Sequence, residues 1–86
     1  MAYAVEVAST ARRQLRKLDR SIQKRIYLRL KTLEDDPRPL GCIQLKGTSG
    51  PLHRIREGDY RIIYAIEDDK LVVLVVRIAH RSTAYR

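Results

Sequence analysis

The second half of this 86-residue chain contains six arginines, both histidines and three of the five tyrosines. Arginine binds phosphate through two parallel hydrogen bonds and stabilises the extra negative charge of a pentacoordinate transition state. Histidine transfers protons near neutral pH, and tyrosine stacks on a base or hydrogen-bonds a phosphate. Together these residue types favour cleavage of a phosphodiester. The candidate catalytic residues are Arg54, Arg56, Arg61, His80, Arg81 and Tyr85.

Strand alternation places three of these arginines on one face of a predicted hairpin. Residues Leu52–Ile66 have the pattern of two strands joined by a two-residue turn at Gly58-Asp59. This turn pairs Arg56 with Arg61, and Arg54 lies on the same face. Like charges that face each other destabilise a sheet, so the patch is either a functional site or a set of unrelated surface arginines.

The last predicted strand, Leu71–Ile78, extends this face. With a turn at Asp68-Asp69, we expect Ile63 to pair with Leu74. The residues that then share the face of the arginines are Val72, Leu74, Val76, Ile78 and His80. The strand is apolar on both faces, which favours an interior place in the sheet. The same alternation directs His53 to the helix side, where we interpret it as structural.

The chain is basic and has the composition of a folded domain. It has 18 lysine and arginine residues, 13 of them arginine, against 10 aspartate and glutamate residues, for a formal charge of +8. Apolar residues make up 44% of the chain, more than a disordered basic tail contains. Such a charge attracts nucleic acid or an anionic membrane surface.

Several protein classes are disfavoured by the same sequence. Cys42 is the only cysteine, so no disulfide framework or cysteine-based zinc site is available, and a reducing cytoplasm is the expected location. The longest apolar run, Leu71–Val76, is too short to span a bilayer, and residues 1–6 lack the pattern of a signal peptide. Clustered carboxylates for catalytic Mg²⁺ are absent from the sequence, which favours a cofactor-free route with the RNA 2′-OH as nucleophile.

Apolar spacing and turn residues predict one α+β domain over residues 1–86. The order is strand, helix, helix and a three-strand meander, with the helical hairpin packed on one face of a mainly antiparallel sheet. The second helix is expected to end near Asp35, because Pro37 disfavours helix at the residue before it. The apolar helix positions are Ala11, Leu15 and Leu18, then Ile22, Ile26, Leu30 and Leu33. The expected strands are 3–7, a short piece at Ile43–Lys46, Leu52–Glu57, Tyr60–Ile66 and Leu71–Ile78.

Basic side chains along the two helices form a second candidate surface. Residues 1–35 carry 9 basic and 4 acidic side chains. Several of the basic residues are i,i+4 neighbours of like charge, which is unfavourable in an isolated helix. A solvated helix face is one interpretation, and docking on an external polyanion is the other. The candidate nucleic-acid-binding residues are Arg12, Arg13, Arg16, Lys17, Lys24, Arg25, Arg29 and Lys46.

The chain resembles the RelE/ParE toxin superfamily, and most closely the RelE-type toxins of toxin–antitoxin modules. The resemblance rests on the GDYR turn at 58–61, the apolar strand before the pair His80-Arg81, and Tyr85. It covers nearly the whole chain, including the RRQLRKL helix at 12–18 and the break at Pro37–Leu40.

The resemblance implies a small α+β fold and a ribosome-dependent endoribonuclease that cuts mRNA in the A site and inhibits translation. In the family, 2′-OH attack leaves a 2′,3′-cyclic phosphate without a metal. The implied partners are a RelB-like antitoxin that blocks the toxin, the ribosome and mRNA, with no membrane. The family's two basic positions before the turn fall on Arg54 and Arg56, its core arginine on Arg61, its C-terminal basic pair on His80 and Arg81, and its tyrosine on Tyr85.

One departure from the family pattern concerns proton transfer. Where some members have lysine, this chain has Arg54 and Arg56. Arginine stays protonated, so it cannot be a general base. Proton transfer therefore shifts to His80, which either accepts the 2′-OH proton or donates a proton to the 5′-oxygen. Neighbouring arginine charges favour the neutral ring that the first role requires.

Two other functions fit the same superfamily. ParE-like members share the fold but inhibit DNA gyrase, usually without the histidine and the tyrosine. A non-catalytic RNA-binding member is the remaining alternative. The set of His80, Arg81 and Tyr85 with the hairpin arginines favours RNA cleavage over both.

Overall fold

In the part of the chain that the structure describes, five strands form one sheet, and two helices follow the first strand. The computed structural model describes residues 2–46 and 51–82. The elements are β1 (Ala4–Val7), α1 (Ser9–Arg16), α2 (Arg20–Thr32), β2 (Ile43–Leu45), β3 (Leu52–Glu57), β4 (Tyr60–Glu67) and β5 (Val72–His80). The strand order is β1-β5-β4-β3-β2, with β1 and β5 parallel and the other neighbours antiparallel. The predicted α+β class and element order are confirmed, and the short piece at β2 is a strand of the sheet.

The core lies between the helices and one face of the sheet. The helices contribute buried Ala11 and Leu15 from α1, and Ile26 and Leu30 from α2. They pack with buried sheet residues, namely Ile55, Ile62, Tyr64, Val73, Val75 and Ile78. Removal of these apolar side chains from water drives the packing of an amphipathic helix on a sheet. The predicted apolar face of each helix is therefore the face that packs on the sheet.

α2 ends earlier than the sequence predicts. Its last residue is Thr32 rather than a residue near Asp35. The next residues continue as hydrogen-bonded turns, and the Asp36 N–H donates to the Thr32 carbonyl at 3.2 Å. This turn carries Leu33 into the core, where it is fully buried.

The β3–β4 hairpin has the predicted register. Arg56 lies opposite Arg61, and Ile55 lies opposite Ile62. Arg54 precedes Arg56 by two residues and therefore points to the same face. Because Ile55 and Ile62 enter the core beneath the helices, the three arginines lie on the face of the sheet that points away from the helices.

The β4–β5 register differs from the prediction. Ile63 pairs with Arg77 rather than with Leu74. The turn between the strands has four residues, Asp68–Leu71, and Val76 is an extra residue that forms a β-bulge. The longer turn shifts the pairing by two residues, which preserves the faces, whereas the single extra residue reverses them.

The bulge moves the end of β5 to the other side of the sheet. Val72 and Leu74 precede the bulge and share the face of the arginines, as predicted. His80 follows the bulge, pairs with Tyr60 and lies on the helix side. Ile78 likewise turns into the core. The prediction that Ile78 and His80 share the arginine face is therefore wrong.

β5 lies inside the sheet, as its apolar sequence predicts. Its neighbours are β4 on one side and β1 on the other, and β1 pairs in parallel from Ala4 opposite Val72 to Val7 opposite Val75. The edge strands are β1 and β2. Within residues 2–46 and 51–82, neither helix has the length and apolar character needed to cross a lipid bilayer.

Candidate functional site

A cleft opens at the end of the sheet where the β3–β4 turn meets the end of β5. It has a volume of about 560 Å³ and is lined by Arg56, Gly58, Asp59, Arg61, Arg81 and Ser82. The Arg81 N–H donates to the Asp59 carbonyl at 2.8 Å, which fastens the end of β5 to the turn. Three of the predicted catalytic arginines, Arg56, Arg61 and Arg81, therefore meet in one cleft.

Arg61 is buried although it is charged. Its side chain is only 6% exposed, and it lies in β4 opposite the exposed Arg56. Two like charges that face each other across a hairpin repel, and a bound anion offsets that repulsion. A phosphate in the cleft would bring negative charge and accept paired hydrogen bonds from guanidinium groups. The cleft is therefore suited to a bound anion.

Arg54 lies on the arginine face but outside the lining of the cleft. It pairs with Ile63, two residues from Arg56 along β3. Its Nε is buried and has no hydrogen-bond partner among residues 2–46 and 51–82. Arg54 thus adds positive charge beside the cleft rather than in it.

The hairpin turn of the cleft is braced by α2. Gly58 has a φ of +60°, a conformation that glycine adopts without strain. Arg25 Nη2 lies 3.2 Å from Glu57 Oε2, and a Cβ at Gly58 would lie 2.9 Å from that same nitrogen. The guanidinium therefore packs against the turn. Arg25, a predicted nucleic-acid-binding residue, thus forms an ion pair with Glu57 within the protein.

His80 is connected to the cleft through Ser82. The imidazole lies edge-on to the Tyr60 ring, with the ring centroids 5.2 Å apart. Its Nδ1 accepts a hydrogen bond from the Ser82 N–H at 3.2 Å and lies 2.8 Å from Ser82 Oγ. Ser82 is not among the residues predicted from the sequence, where its only signal is its position two residues after His80. Tyr85 lies outside the described residues.

The remaining predicted nucleic-acid-binding residues differ in how exposed their side chains are. Three of them border a shallow groove of about 460 Å³ beside α1, namely Arg12, Arg13 and Arg16. Three more are exposed, namely Lys17, Lys24 and Lys46. Arg29 differs because it is half-buried, and its buried Nε has no hydrogen-bond partner in the described part of the chain. Arg29 is therefore less accessible than the other basic residues of the helices, and its role in nucleic-acid binding stays a prediction.

A separate polar network anchors the connection between α2 and β2. Tyr64 Oη donates to the Pro37 carbonyl at 2.8 Å, and Cys42 Sγ lies 3.3 Å from the same hydroxyl. The His53 ring stacks on Tyr64, with centroids 5.7 Å apart. Burial raises the pKa of Tyr64 and lowers the pKa of His53, so both side chains are neutral. His53 lies on the helix side as predicted, and it does not line the cleft.

A second groove is apolar and follows the edge of β1. It has a volume of about 280 Å³ and is lined by Val5, Val7, Tyr27, Leu28, Leu30, Lys31 and Glu34. Tyr27 and Leu28 are 55% and 59% exposed. Exposed apolar side chains beside a sheet edge mark a surface to which another chain can bind.

Comparisons with known proteins place the chain in a family. The sequence profile described as "ParE toxin of type II toxin-antitoxin system, parDE" matches residues 5–85. Toxin RelE of Mycobacterium tuberculosis is 36% identical over 85 residues, which cover 98% of this chain and 87% of that protein. The mRNA interferase toxin RelE of Escherichia coli K12 is 27% identical over 83 residues, covering 95% of this chain and 86% of that protein.

A solved structure extends the likeness to the fold. The archaeal RelE–RelB complex from Pyrococcus horikoshii OT3 superimposes with a TM-score of 0.84 and 30% sequence identity, covering 98% of this chain and all of that one. The chain belongs to the ParE toxin family of the RelE/ParE superfamily. Within it, the protein is a RelE-like toxin of a type II toxin–antitoxin system, as the sequence predicts.

Proposed function

We propose that this toxin is an endoribonuclease that cuts mRNA in the ribosomal A site and thereby inhibits translation. The observation that carries the proposal is the meeting of Arg56, Arg61 and Arg81 around one cleft. The relative from Escherichia coli that is named an mRNA interferase adds support. Guanidinium groups held by three different segments bind a phosphate from several directions and stabilise the charge that develops on it.

The proposed chemistry uses the substrate's own ribose. The 2′-oxygen attacks the adjacent phosphorus, the bond from phosphorus to the 5′-oxygen breaks, and the product carries a 2′,3′-cyclic phosphate. Arg56, Arg61 and Arg81 hold the phosphoryl oxygens, and Arg54 adds positive charge nearby. His80 is the proposed proton-transfer residue, and Tyr85 is proposed to contact the base or the phosphate.

The ribosome is proposed to supply the substrate geometry. Within the described part of the chain, the residues that line the cleft include three arginines but no aromatic side chain on which a base could stack. Orientation by a second macromolecule removes much of the entropy cost of reaching the reactive geometry. We therefore expect weak cleavage of free RNA and rapid cleavage of mRNA on ribosomes.

The test is to map mRNA ends in growing cells after induction of the toxin. Wild type should arrest translation and produce 5′ ends clustered within codons, while Arg61→Ala should produce neither. Arg61→Lys serves as a second variant, because it keeps the buried charge but cannot bind phosphate in the bidentate manner. Lys70→Ala is the matched control, since Lys70 lies in the turn at the opposite end of β4 and β5. Equal cleavage by wild type and Arg61→Ala would refute the proposal.

A gyrase inhibitor is the second candidate, because the matching family profile is described as a ParE toxin. The two candidates differ in a purified assay. A gyrase inhibitor blocks DNA supercoiling by purified gyrase and leaves ribosome-bound mRNA intact, whereas the proposed nuclease does the reverse. Intact mRNA together with inhibited gyrase would replace the first candidate with the second.

An antitoxin is the proposed protein partner, and the apolar groove beside β1 is its proposed contact. The Pyrococcus neighbour is a complex of RelE with RelB, which supports such a partner here. An amphipathic segment would bury Tyr27 and Leu28, and acidic residues on it would face Lys31 and the basic side chains of α1. Leu28→Glu should therefore weaken co-purification with the antitoxin while mRNA cleavage continues. Undiminished co-purification would place the antitoxin elsewhere.

A further inference from the structure

His80 and the sheet arginines of the cleft, Arg56 and Arg61, lie on opposite faces of the sheet. A phosphate in the cleft contacts the face of the sheet that carries Arg56 and Arg61, but the bulge at Val76 places His80 on the helix side. A direct proton transfer from the substrate to the imidazole would have to pass around the end of β5. Ser82 occupies that position, because it lines the cleft and also bonds to the imidazole.

The hydrogen bonds of Ser82 determine which ring nitrogen of His80 carries the proton. A backbone N–H can only donate, and the Ser82 N–H points at Nδ1 at 3.2 Å. Nδ1 must therefore present its lone pair, and the neutral imidazole has its proton on Nε2. Ser82 Oγ, 2.8 Å from the same Nδ1, then donates its hydroxyl proton to it. A hydroxyl that donates to an imidazole nitrogen retains lone pairs to accept a further proton.

We propose that Ser82 is a catalytic residue of the cleft, which relays the proton of the attacking 2′-hydroxyl to His80. The inference rests on the proposed endoribonuclease function. As the bond from the 2′-oxygen to phosphorus forms, the 2′ proton passes to Ser82 Oγ, and the Ser82 hydroxyl proton passes to His80 Nδ1. The bond from phosphorus to the 5′-oxygen breaks, and the 5′-oxygen takes a proton from water, whose hydroxide is neutralised when the imidazolium later releases its proton. Ser82 ends neutral, and His80 becomes an imidazolium.

The surrounding residues suit both halves of this relay. Ser82 lines the same cleft as Arg56, Arg61 and Arg81, so a phosphate held by these arginines would lie in the site that Ser82 borders. The edge of the His80 ring packs on Tyr60, which limits rotation of the imidazole away from Ser82. The hydrogen bond from the Arg81 N–H to Asp59 fixes the backbone between His80 and Ser82. The relay gives His80 the role of base.

The test compares Ser82→Ala with Ser82→Thr on ribosomes programmed with mRNA. Ser82 is exposed, so neither substitution removes core packing. Loss of a proton-transfer group lowers turnover by about 10²–10⁴-fold. We expect Ser82→Ala to lower kcat by at least about 10²-fold with KM nearly unchanged, and Ser82→Thr, which keeps the hydroxyl, to stay within about tenfold of wild type. Ser82→Ala combined with His80→Ala should be no slower than His80→Ala alone, because the two residues act in one step.

A spectroscopic measurement separates the relay from a merely structural role. The ¹⁵N chemical shifts of the neutral His80 ring in wild type should show a proton on Nε2 and a lone pair on Nδ1. A proton on Nδ1 would overturn the relay. Full activity of Ser82→Ala in an assay where Arg61→Ala is inactive would also overturn the relay. That result would still support the proposed nuclease function. If wild-type protein leaves ribosome-bound mRNA uncut, the proposed function fails and the relay fails with it.

Discussion

Arg56 and Arg61 face each other across the hairpin. Their like charges weaken the pairing of the two strands, but the same charges suit the binding of a phosphate. Directly opposed like charges weaken an antiparallel pair. The fold holds this arrangement with Arg61 nearly buried and Arg56 at the surface of the cleft. The same arrangement gives a phosphate two guanidinium groups to bind. Removal of one charge should therefore change stability and activity in opposite directions.

We predict that Arg56→Gln makes the protein slightly more stable and much less active. The free energy of unfolding should rise by about 0.2–1 kcal/mol, because the repulsion across the pair is removed. Cleavage of mRNA on ribosomes should fall by at least about tenfold, because one charge-assisted contact to the phosphate is lost. Urea unfolding and single-turnover cleavage measure the two effects. Lys70→Gln, which removes a charge at the other end of β4 and β5, should leave cleavage unchanged. A drop in both quantities for Arg56→Gln would mean that Arg56 stabilises the fold.

His53 should make the stability of the protein depend on pH. Burial, with the nearby charge of Arg38, lowers the pKa of His53 in the folded protein. The unfolded chain therefore binds the proton more readily, and acid favours unfolding. The stability contributed by the neutral ring is complete above the unfolded value of about 6.5 and is lost as the pH falls below it. Urea unfolding at several pH values between 5 and 8 should show this decline in wild type and a flatter profile in His53→Gln. Equal profiles would show that His53 does not contribute.

Three separate segments are tied together by one carboxylate in the β4–β5 turn. Asp68 receives hydrogen bonds from Arg38 at 2.8 and 3.3 Å and from the Tyr3 hydroxyl at 2.5 Å. Arg38 belongs to the connection after α2, and Tyr3 precedes β1. These bonds, with that from Arg38 the larger cause, lower the pKa of Asp68 to about 2. The carboxylate thus links the turn to the residue before β1 and to the connection after α2.

We predict that Asp68→Asn lowers the midpoint of urea unfolding at neutral pH, whereas Asp69→Asn in the same turn does not. The group is exposed, so the effect should be modest. Because the folded pKa is lowered, the stabilising effect is complete above the ordinary carboxyl value near 3.8 and is lost as the pH falls toward about 2. The difference between Asp68→Asn and wild type should therefore vanish in that range. Identical midpoints for the two variants at pH 7 would show that the exposed bonds carry no net stability.

The sequence predicts the hairpin with its arginines well, but not the end of β5. A two-residue turn at Gly58-Asp59 fixes the register by itself, so the pairing of Arg56 with Arg61 follows from local residues. The bulge at Val76 has no such local signal, since valine is typical of an unbroken strand. It is selected by the fold as a whole, because it turns Ile78 into the core. Its second effect, the placement of His80 on the helix side, could only be seen once the partner strand was known.

The basic residues of the helices show a second limit of prediction from spacing. Like-charged i,i+4 pairs indicate which residues share a helix face, but not what lies opposite that face. Arg25 and Arg29 both turn toward the sheet, Arg25 to Glu57 and Arg29 into a half-buried position. The side chains on α1 remain at the surface. Exposed positive charge therefore remains on both helices, but Arg29 contributes little of it.

At the scale of the whole molecule, the positive charge divides into two regions with different proposed tasks. In the proposed function the cleft arginines contact one phosphate, where position matters more than total charge. Arg12, Arg13 and Arg16 on α1 line a shallow exposed groove, which suits contact with an extended phosphate backbone. Such contacts are independent of base sequence and displace counterions, so their strength should depend on salt. The contribution of α1 to binding and that of the cleft to cleavage can therefore be measured separately.

We predict that the triple variant R12Q/R13Q/R16Q binds ribosomes more weakly and with less dependence on salt, while mRNA on a bound ribosome is cut at the wild-type rate. Each lost phosphate contact should reduce the slope of log Kobs against log salt concentration by about 0.7–0.9, so three should reduce it by about 2–3. Affinity measured between 50 and 200 mM salt (roughly the range in which such contacts weaken most visibly) gives the slope, and single-turnover cleavage at saturating ribosomes gives the rate. Lys70→Gln should leave the slope unchanged. An unchanged slope in the triple variant would place the ribosome contact elsewhere on the molecule, and a slower rate at saturation would mean that α1 also orients the substrate in the cleft.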